Sequence, residues 1–139
     1  MLVPQLAKLT SFTSVALIVG VIWALWHVPI LLFAGYNSGT PVWYALICFV
    51  ALEMGGSFVC AWLRLKTGSI WPSTILHGSH NYFIEGIFDA FTANTGITLY
   101  ITTEFGIGLA LVGVVMALLF WKLAKKDTQL NTIPVMLPG

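Results

Sequence analysis

The sequence contains very little charge. Its 139 residues include six Lys and Arg and five Asp and Glu, which together make up 8% of the chain. Because about a quarter of the residues in a soluble domain are charged, this composition excludes an ordinary water-soluble globular protein. No acidic or basic residue lies between Lys8 and Glu53, and such a long uncharged stretch is typical of membrane-spanning segments. The scattered basic residues predict no nucleic-acid-binding patch.

Cysteine is also scarce, and the two that occur exclude a disulfide framework. Cys48 and Cys60 fall on one predicted helix, where twelve residues span about 18 Å. Two cysteines at that separation are too far apart to be bridged.

Four long apolar stretches are present instead, each long enough to cross roughly 30 Å of hydrocarbon. They predict an all-α fold, a polytopic membrane helix bundle of about four transmembrane helices. A signal peptide is the competing interpretation of the first stretch, but no convincing small-x-small cleavage site follows it. The predicted organisation is an N-terminal segment 1–11, a transmembrane domain 12–126 with spans 12–33, 42–63, 70–91 and 103–123, and a tail 127–139.

The positions of the basic residues predict the orientation of the bundle. Four spans place both termini and the loop between the second and third spans on one side, and all six Lys and Arg fall on that side. By the positive-inside rule this side is cytoplasmic. We therefore expect a multi-pass integral protein of a bacterial plasma membrane, in contact with the lipid bilayer and with both termini in the cytoplasm.

The third predicted span carries unusual polar residues. His77 and Asn81 are four residues apart and share a helix face, with His80 on the same side but rotated away. A histidine and an amide on one face can bind an oxyanion, orient a water or help to ligate a metal. A structural polar contact between helices is an equally good interpretation of this pair alone.

His27 in the first span favours the functional interpretation. Trp23 lies one turn before it, and Pro29 follows it. Because proline disfavours a regular helix at the preceding residue, we expect the helix to kink or break here. Three histidines in a membrane chain predict a convergent polar site, with His27, His77 and Asn81 around one cavity.

The acidic residues are the candidates for a catalytic base. Glu53 lies near the middle of the second span, and Glu85 lies two turns from His77 on roughly the same face. Glu104, at the start of the fourth span, is expected to be solvated. No zinc-binding His-Glu-x-x-His occurs, so a divalent metal such as zinc, held by His27 and His77, is only weakly indicated.

Taken together, these residues resemble the CPBP family of intramembrane proteases, also called the CAAX-protease, bacteriocin-processing or Abi family. Its second motif is Phe-x-x-x-His, which Trp23 and His27 resemble, with Trp in place of Phe. Its third motif is His-x-x-x-Asn or Asp, which His77 and Asn81 resemble, including the usual lead-in at 64–72.

The resemblance implies roles for three of these residues. His27 would be the partner of the base that activates a water for peptide hydrolysis. His77 and Asn81 would stabilise the oxyanion. Family members have been described both as metalloproteases and as metal-independent glutamate proteases, so the resemblance leaves metal dependence open.

The family's first motif, Glu-Glu-x-x-x-Arg, does not occur in the chain. The simplest interpretation is that this is a C-terminal part of a longer protease that carries the glutamates upstream. A degenerate, inactive homologue is the second interpretation. The third, which the motif's context favours least, is that Glu53 or Glu85 replaces the missing base.

The sequence therefore predicts an intramembrane endopeptidase that hydrolyses membrane-anchored peptides or proteins. Whether this polypeptide is itself an active enzyme stays open. The alternative is a non-catalytic membrane protein, such as a bacteriocin-immunity-type protein or a degenerate homologue. A small transporter that uses His and Glu as a proton relay is a weaker alternative, because repeat symmetry is missing.

Overall fold

The computed structural model describes residues 2–131, so the end of the predicted tail, 132–139, lies outside the described residues. The helices are α1 (Leu2–Leu6), α2 (Phe12–Phe33), α3 (Val42–Thr67), α4 (Trp71–His80), a π-helical segment (Asn81–Asp89), α5 (Thr98–Ile101), α6 (Ile107–Lys126) and α7 (Thr128–Asn131). No strand occurs among the described residues, and α2, α3 and α6 are long and apolar enough to cross a membrane. The predicted all-α membrane helix bundle is thereby confirmed.

Helix α3 is the centre of the bundle. It packs along α6 on one side and along α2 on the other, and α1 and α4 also contact it. About 44% of its most apolar window is buried, compared with 28% for α2 and 17% for α6. The outward faces of α2 and α6 remain apolar and exposed, as expected for helices that face lipid.

Glycines allow α3 and α6 to touch along their backbones. A Cβ added at Gly55 would overlap the backbone of Gly113, and a Cβ added at Gly113 would lie 2.7 Å from the Cα of Leu52. On the opposite face of α3, the buried Ser57 hydroxyl lies 3.0 Å from the Ala16 carbonyl of α2. Small residues of this kind are typical of contacts between membrane helices.

Contacts at both ends show that α3 and α6 run in parallel. At one end Lys66 pairs with Asp127 at 2.6 Å, and at the other end the ring of Phe49 stacks on Phe105. Two consecutive parallel helices require the chain between them to return along the bundle. Residues 71–89 make this return, so they occupy the place of the third predicted span.

The third predicted span, 70–91, differs from the expected single α-helix. Its α-helical hydrogen bonding ends at His80, and a π-helix of nine residues begins at Asn81. Because neither part reaches the length of a membrane-spanning helix alone, only three long apolar helices are found in the described residues. Short π-helical stretches are rare and are often found at functional sites.

A kink or a break was expected beside His27, and the break does not occur. Helix α2 continues through Pro29 and ends at Phe33. Membrane helices tolerate an internal proline because neighbouring groups can satisfy the freed backbone carbonyl, and the expectation of a break was therefore wrong. The helix orients the imidazole ring of His27, because its Nδ1 lies 3.0 Å from the carbonyl oxygen of Trp23, one turn earlier.

Candidate functional site

A cavity of about 180 Å³ lies between α2, α3, α4 and α6. Most of its wall is apolar, as the membrane setting requires, and Trp23 of α2 forms part of it. The groups able to do acid–base chemistry come from two helices. They are Glu53 and Cys60 on α3, and His77 and His80 on α4.

Residues of the two predicted motifs contact each other at this cavity. The ring of Trp23 meets the ring of His77 edge to face, with centroids 5.1 Å apart. His27 Nδ1 must carry a proton to donate to the Trp23 carbonyl, so Nε2 of the neutral ring keeps a free lone pair. His27 packs on the ring of Phe49 and does not line the cavity.

Asn81 is the first residue of the π-helical segment and does not line the cavity. Its side chain and that of His77 are exposed. Of the three residues expected around one cavity, only His77 lines it. His27 contacts the Trp23 carbonyl oxygen and the ring of Phe49, and Asn81 is the first residue after α4. Their roles remain predictions.

Glu53 is buried in the cavity wall, with 7% of its surface exposed. Its Oε2 atom has no hydrogen-bond partner among the residues described. His80 and Glu104 are near enough to interact with it electrostatically. A carboxyl group without a partner at this depth is costly unless a bound molecule supplies a hydrogen bond.

Next to the cavity, a polar network links three parts of the chain. The Tyr36 hydroxyl donates to Glu104 Oε2 at 2.7 Å and lies 3.0 Å from Glu85 Oε2. The other carboxylate oxygen of Glu104 is 3.7 Å from Nε2 of His80. Burial raises the pKa of the Tyr36 phenol above its ordinary value, and the two carboxylates raise it further, so the hydroxyl stays protonated as a donor.

One expectation about the acids differs from this arrangement. Glu104 was expected to be solvated, but it is 5% exposed, because α6 begins only at Ile107 and Glu104 lies in the turn before it, within hydrogen-bond distance of Tyr36. Glu85, expected on roughly the face of His77, lies in the π-helical segment and contacts Tyr36. The solvated position predicted for Glu104 was wrong.

A metal site is not assembled by the described residues. No group of three or more His, Cys, Asp or Glu side chains among residues 2–131 is placed to hold an ion. Trp23 contacts His77 through its ring and His27 through its backbone carbonyl. A zinc held by these two histidines would lack a third side-chain ligand of this kind among residues 2–131.

Sequence reasoning missed Tyr36 as a site residue. Tyr36 lies in a turn rich in Gly, Asn and Ser, and such a position carries no signal of burial or chemistry. The relevance of Glu104 was missed for a similar reason, because its burial depends on where α6 begins. Only the approach of the loop to α4 and the π-helical segment brings these side chains together.

Comparison with known proteins identifies the family. The family model described as type II CAAX prenyl endopeptidase Rce1-like matches residues 1–83, which is more than half of the chain. The matched region contains Glu53 and the motif residues Trp23, His27, His77 and Asn81, and it ends before Glu85. No curated protein and no solved structure matches the chain significantly. With two of the family's motifs in contact inside a membrane helix bundle, the chain belongs to the Rce1-like family of type II CAAX prenyl endopeptidases, which are intramembrane proteases.

Proposed function

We propose that this chain carries the oxyanion-binding residues of an intramembrane endopeptidase site that hydrolyses peptide bonds of membrane-anchored substrates. His77 and Asn81 donate hydrogen bonds to the carbonyl oxygen of the scissile peptide as it becomes an oxyanion. His27 acts as the partner of the base that activates the attacking water. Prenylated C-terminal peptides, bacteriocin leader peptides and other membrane-anchored proteins are the proposed substrate classes.

The observation that carries this proposal is the contact between the rings of Trp23 and His77. These residues are far apart in the sequence and belong to two different motifs, yet their ring centroids are 5.1 Å apart. The same tryptophan accepts the hydrogen bond from His27 through its carbonyl oxygen. Trp23 therefore contacts residues of both motifs, which supports a shared site.

The exposure of His77 and Asn81 supports a site that binds a polar partner. Both side chains are exposed, and exposed apolar residues such as Leu76 and Tyr82 lie next to them. In a membrane these two polar groups need a hydrogen-bond acceptor, because lipid tails offer none. The carbonyl oxygen of a peptide bond in an extended substrate would be such an acceptor.

The location of the site supports a membrane-anchored substrate. The cavity lies between helices that are apolar on their outer faces, so a substrate tethered to the bilayer can reach it laterally. The protein is an integral membrane protein by its helices and its family. We further propose a bacterial plasma membrane, with the basic ends of α3 and α6 in the cytoplasm.

The test is proteolysis of a panel of membrane-anchored peptides by the purified protein in detergent. Wild-type chain and a version extended upstream to any encoded Glu-Glu-x-x-x-Arg are compared, each with His77→Ala and His80→Ala. Removal of one oxyanion donor lowers kcat by about 10² to 10³-fold, so we expect His77→Ala to be nearly inactive. His80→Ala should lose less activity, because His80 is not one of the motif donors.

Near-full activity in His77→Ala would remove this residue from the mechanism. Equal loss in the two variants would contradict the separate role given to His77. Correct folding of each variant is checked by gel filtration and thermal unfolding in the same detergent.

A non-catalytic membrane protein is the second candidate function. The observation that favours it is the exposure of the His77 and Asn81 side chains, which allows a peptide to bind there without being cleaved. In that case the open face around His77 and Asn81 would bind a peptide without cleaving it, as an immunity-type protein would bind a toxin. Binding of the peptide panel without cleavage by either version would support this alternative.

A further inference from the structure

Glu53 is a buried acid whose Oε2 atom receives no hydrogen bond in the described part of the chain. More than nine-tenths of its surface is buried, and its Oε2 atom lacks a hydrogen-bond partner among residues 2–131. Glu104, the other deeply buried acid, has the Tyr36 hydroxyl as its donor. An unpaired buried carboxyl costs about 1–3 kcal/mol, and functional membrane proteins retain such groups where a ligand or a proton is handled.

The cavity beside Glu53 has room for the missing partner. Its volume of about 180 Å³ exceeds the roughly 30 Å³ that one water occupies in the liquid. His77 and His80 of α4 line the same cavity, so a water there has several polar groups around it. A buried water typically needs two to four polar partners.

The charged and titratable groups around Glu53 come from three parts of the chain. They are His77 and His80 on α4, Glu104 in the turn before α6, and Cys60 on α3 itself. The cavity-lining residues contributed by α2 and α6 are not titratable. No Lys or Arg lines the cavity, so Glu53 forms no ion pair with either residue type there.

We propose that Glu53 is the general base of this chain: it holds the hydrolytic water in the cavity and accepts its proton. The inference rests on the proposed peptidase function and adds a residue that lies outside the motifs carrying the family resemblance. The position of Glu53 on α3 places its carboxyl group in the same cavity wall as His77, the proposed oxyanion donor.

The reaction balances without any further reagent. Glu53 removes one proton from the water while the water oxygen bonds to the peptide carbonyl carbon, and His77 stabilises the resulting oxyanion. The carbon–nitrogen bond then breaks, and Glu53 returns its proton to the leaving amine. The products are a carboxylic acid and an amine, and the carboxylate of Glu53 is regenerated.

The experiment is peptide cleavage by this chain in detergent, with Glu53→Gln as the test and Asp127→Asn as the matched control. Both variants replace a carboxylate by an amide of the same shape, but Asp127 pairs with Lys66 at the end of the bundle and does not line the cavity. A general base contributes about 10² to 10⁴-fold, so Glu53→Gln should lose at least about 10²-fold in kcat with KM unchanged. Asp127→Asn should keep the wild-type rate.

A pH profile provides a readout that a structural role would not change. The wild-type rate should fall on the acid side as Glu53 becomes protonated, and the residual activity of Glu53→Gln should lack that acid limb. Thermal unfolding of the variant checks that the fold is retained. A Glu53→Asp variant, which keeps the carboxylate, should recover part of the rate.

The possible failures can be told apart. Full activity of Glu53→Gln would overturn this inference and leave the proposed peptidase standing. Cleavage only by the version extended upstream would also overturn it, because the base would then lie outside these 139 residues. Absence of cleavage by both versions would overturn the proposed function, and the role of Glu53 with it.

Discussion

At the scale of single residues, the polar groups of this protein differ in how far their hydrogen bonds are satisfied. Glu104 is buried and accepts a hydrogen bond from Tyr36, whereas Glu53 is equally buried and has no donor among the described residues. Satisfied buried polar groups stabilise a fold, and unsatisfied ones destabilise it unless a ligand binds. The contrast assigns a structural role to the first acid and a chemical role to the second.

The Tyr36 hydroxyl is therefore expected to stabilise the fold. Tyr36→Phe removes the donor to Glu104 and leaves two carboxylates beside an apolar ring. We expect a loss of about 1–3 kcal/mol in the free energy of unfolding, measured by thermal or denaturant unfolding in detergent.

The matched control is Tyr44→Phe. The Tyr44 hydroxyl donates to the Tyr100 carbonyl oxygen at an exposed position, where water can replace it. The free energy of unfolding should fall less in this variant, by the roughly 0.5–1.5 kcal/mol of an ordinary hydrogen bond. An equal loss in both variants would contradict the special role of Tyr36.

At the scale of elements, backbone contact between α3 and α6 sets the position of the cavity. Gly55 and Gly113 have no side chains, and this lets the two helices approach until their backbones touch. Gly113 also lines the cavity, next to Val112 and Met116 of α6. A wider separation of these helices would enlarge the cavity and move its wall away from Glu53.

Gly113→Ala tests this close approach. The added Cβ would lie 2.7 Å from the Cα of Leu52 and 2.8 Å from the Ala51 carbonyl oxygen. Since both are backbone atoms that cannot rotate away, we expect a loss of about 1–3 kcal/mol in the free energy of unfolding, as for other overpacked contacts.

The control for this variant is Gly78→Ala on α4. A Cβ at Gly78 would meet nothing within 4 Å, and alanine in a helix is favoured over glycine by about 0.5–1 kcal/mol. We expect unchanged or slightly higher stability. Similar destabilisation at both positions would indicate that helix contact at Gly113 is not the cause.

At the scale of the whole molecule, the ends of the bundle are chemically different. Lys66 and Asp127 lie at one end, where the C-terminal ends of α3 and α6 meet and where Phe12 packs on Phe58. The opposite end holds the loops 34–41 and 90–106, which contain no Lys or Arg. The positive-inside rule predicts that the basic end faces the cytoplasm.

Cysteine labelling in intact cells tests this orientation. In a variant with Cys48 and Cys60 replaced, Asn94→Cys should react with a membrane-impermeant maleimide, because it lies in an exposed loop at the end without basic residues. Leu9→Cys, which is exposed at the opposite end, should react only after permeabilisation. The reverse pattern would invert the topology.

Much of the fold follows from the sequence. The apolar stretches around α2, α3 and α6 are long and uncharged, and only helices satisfy their own backbone hydrogen bonds in lipid. The continuity of α2 at Pro29 was not predictable, since a proline can either end or only perturb a membrane helix. The α-to-π change at Asn81 likewise has no clear local signal.

The sequence by itself determined that this chain is a helical membrane protein, because composition and hydropathy are local properties that can be read without the fold. Its resemblance to a protease family singled out His27, His77 and Asn81 as candidate site residues. Only the tertiary structure decided that Trp23 joins His27 to His77, that Glu85 and Glu104 share Tyr36, and that Glu53 is left without a partner beside the cavity. These facts depend on how helices approach one another, and glycines and a π-helix set that approach here.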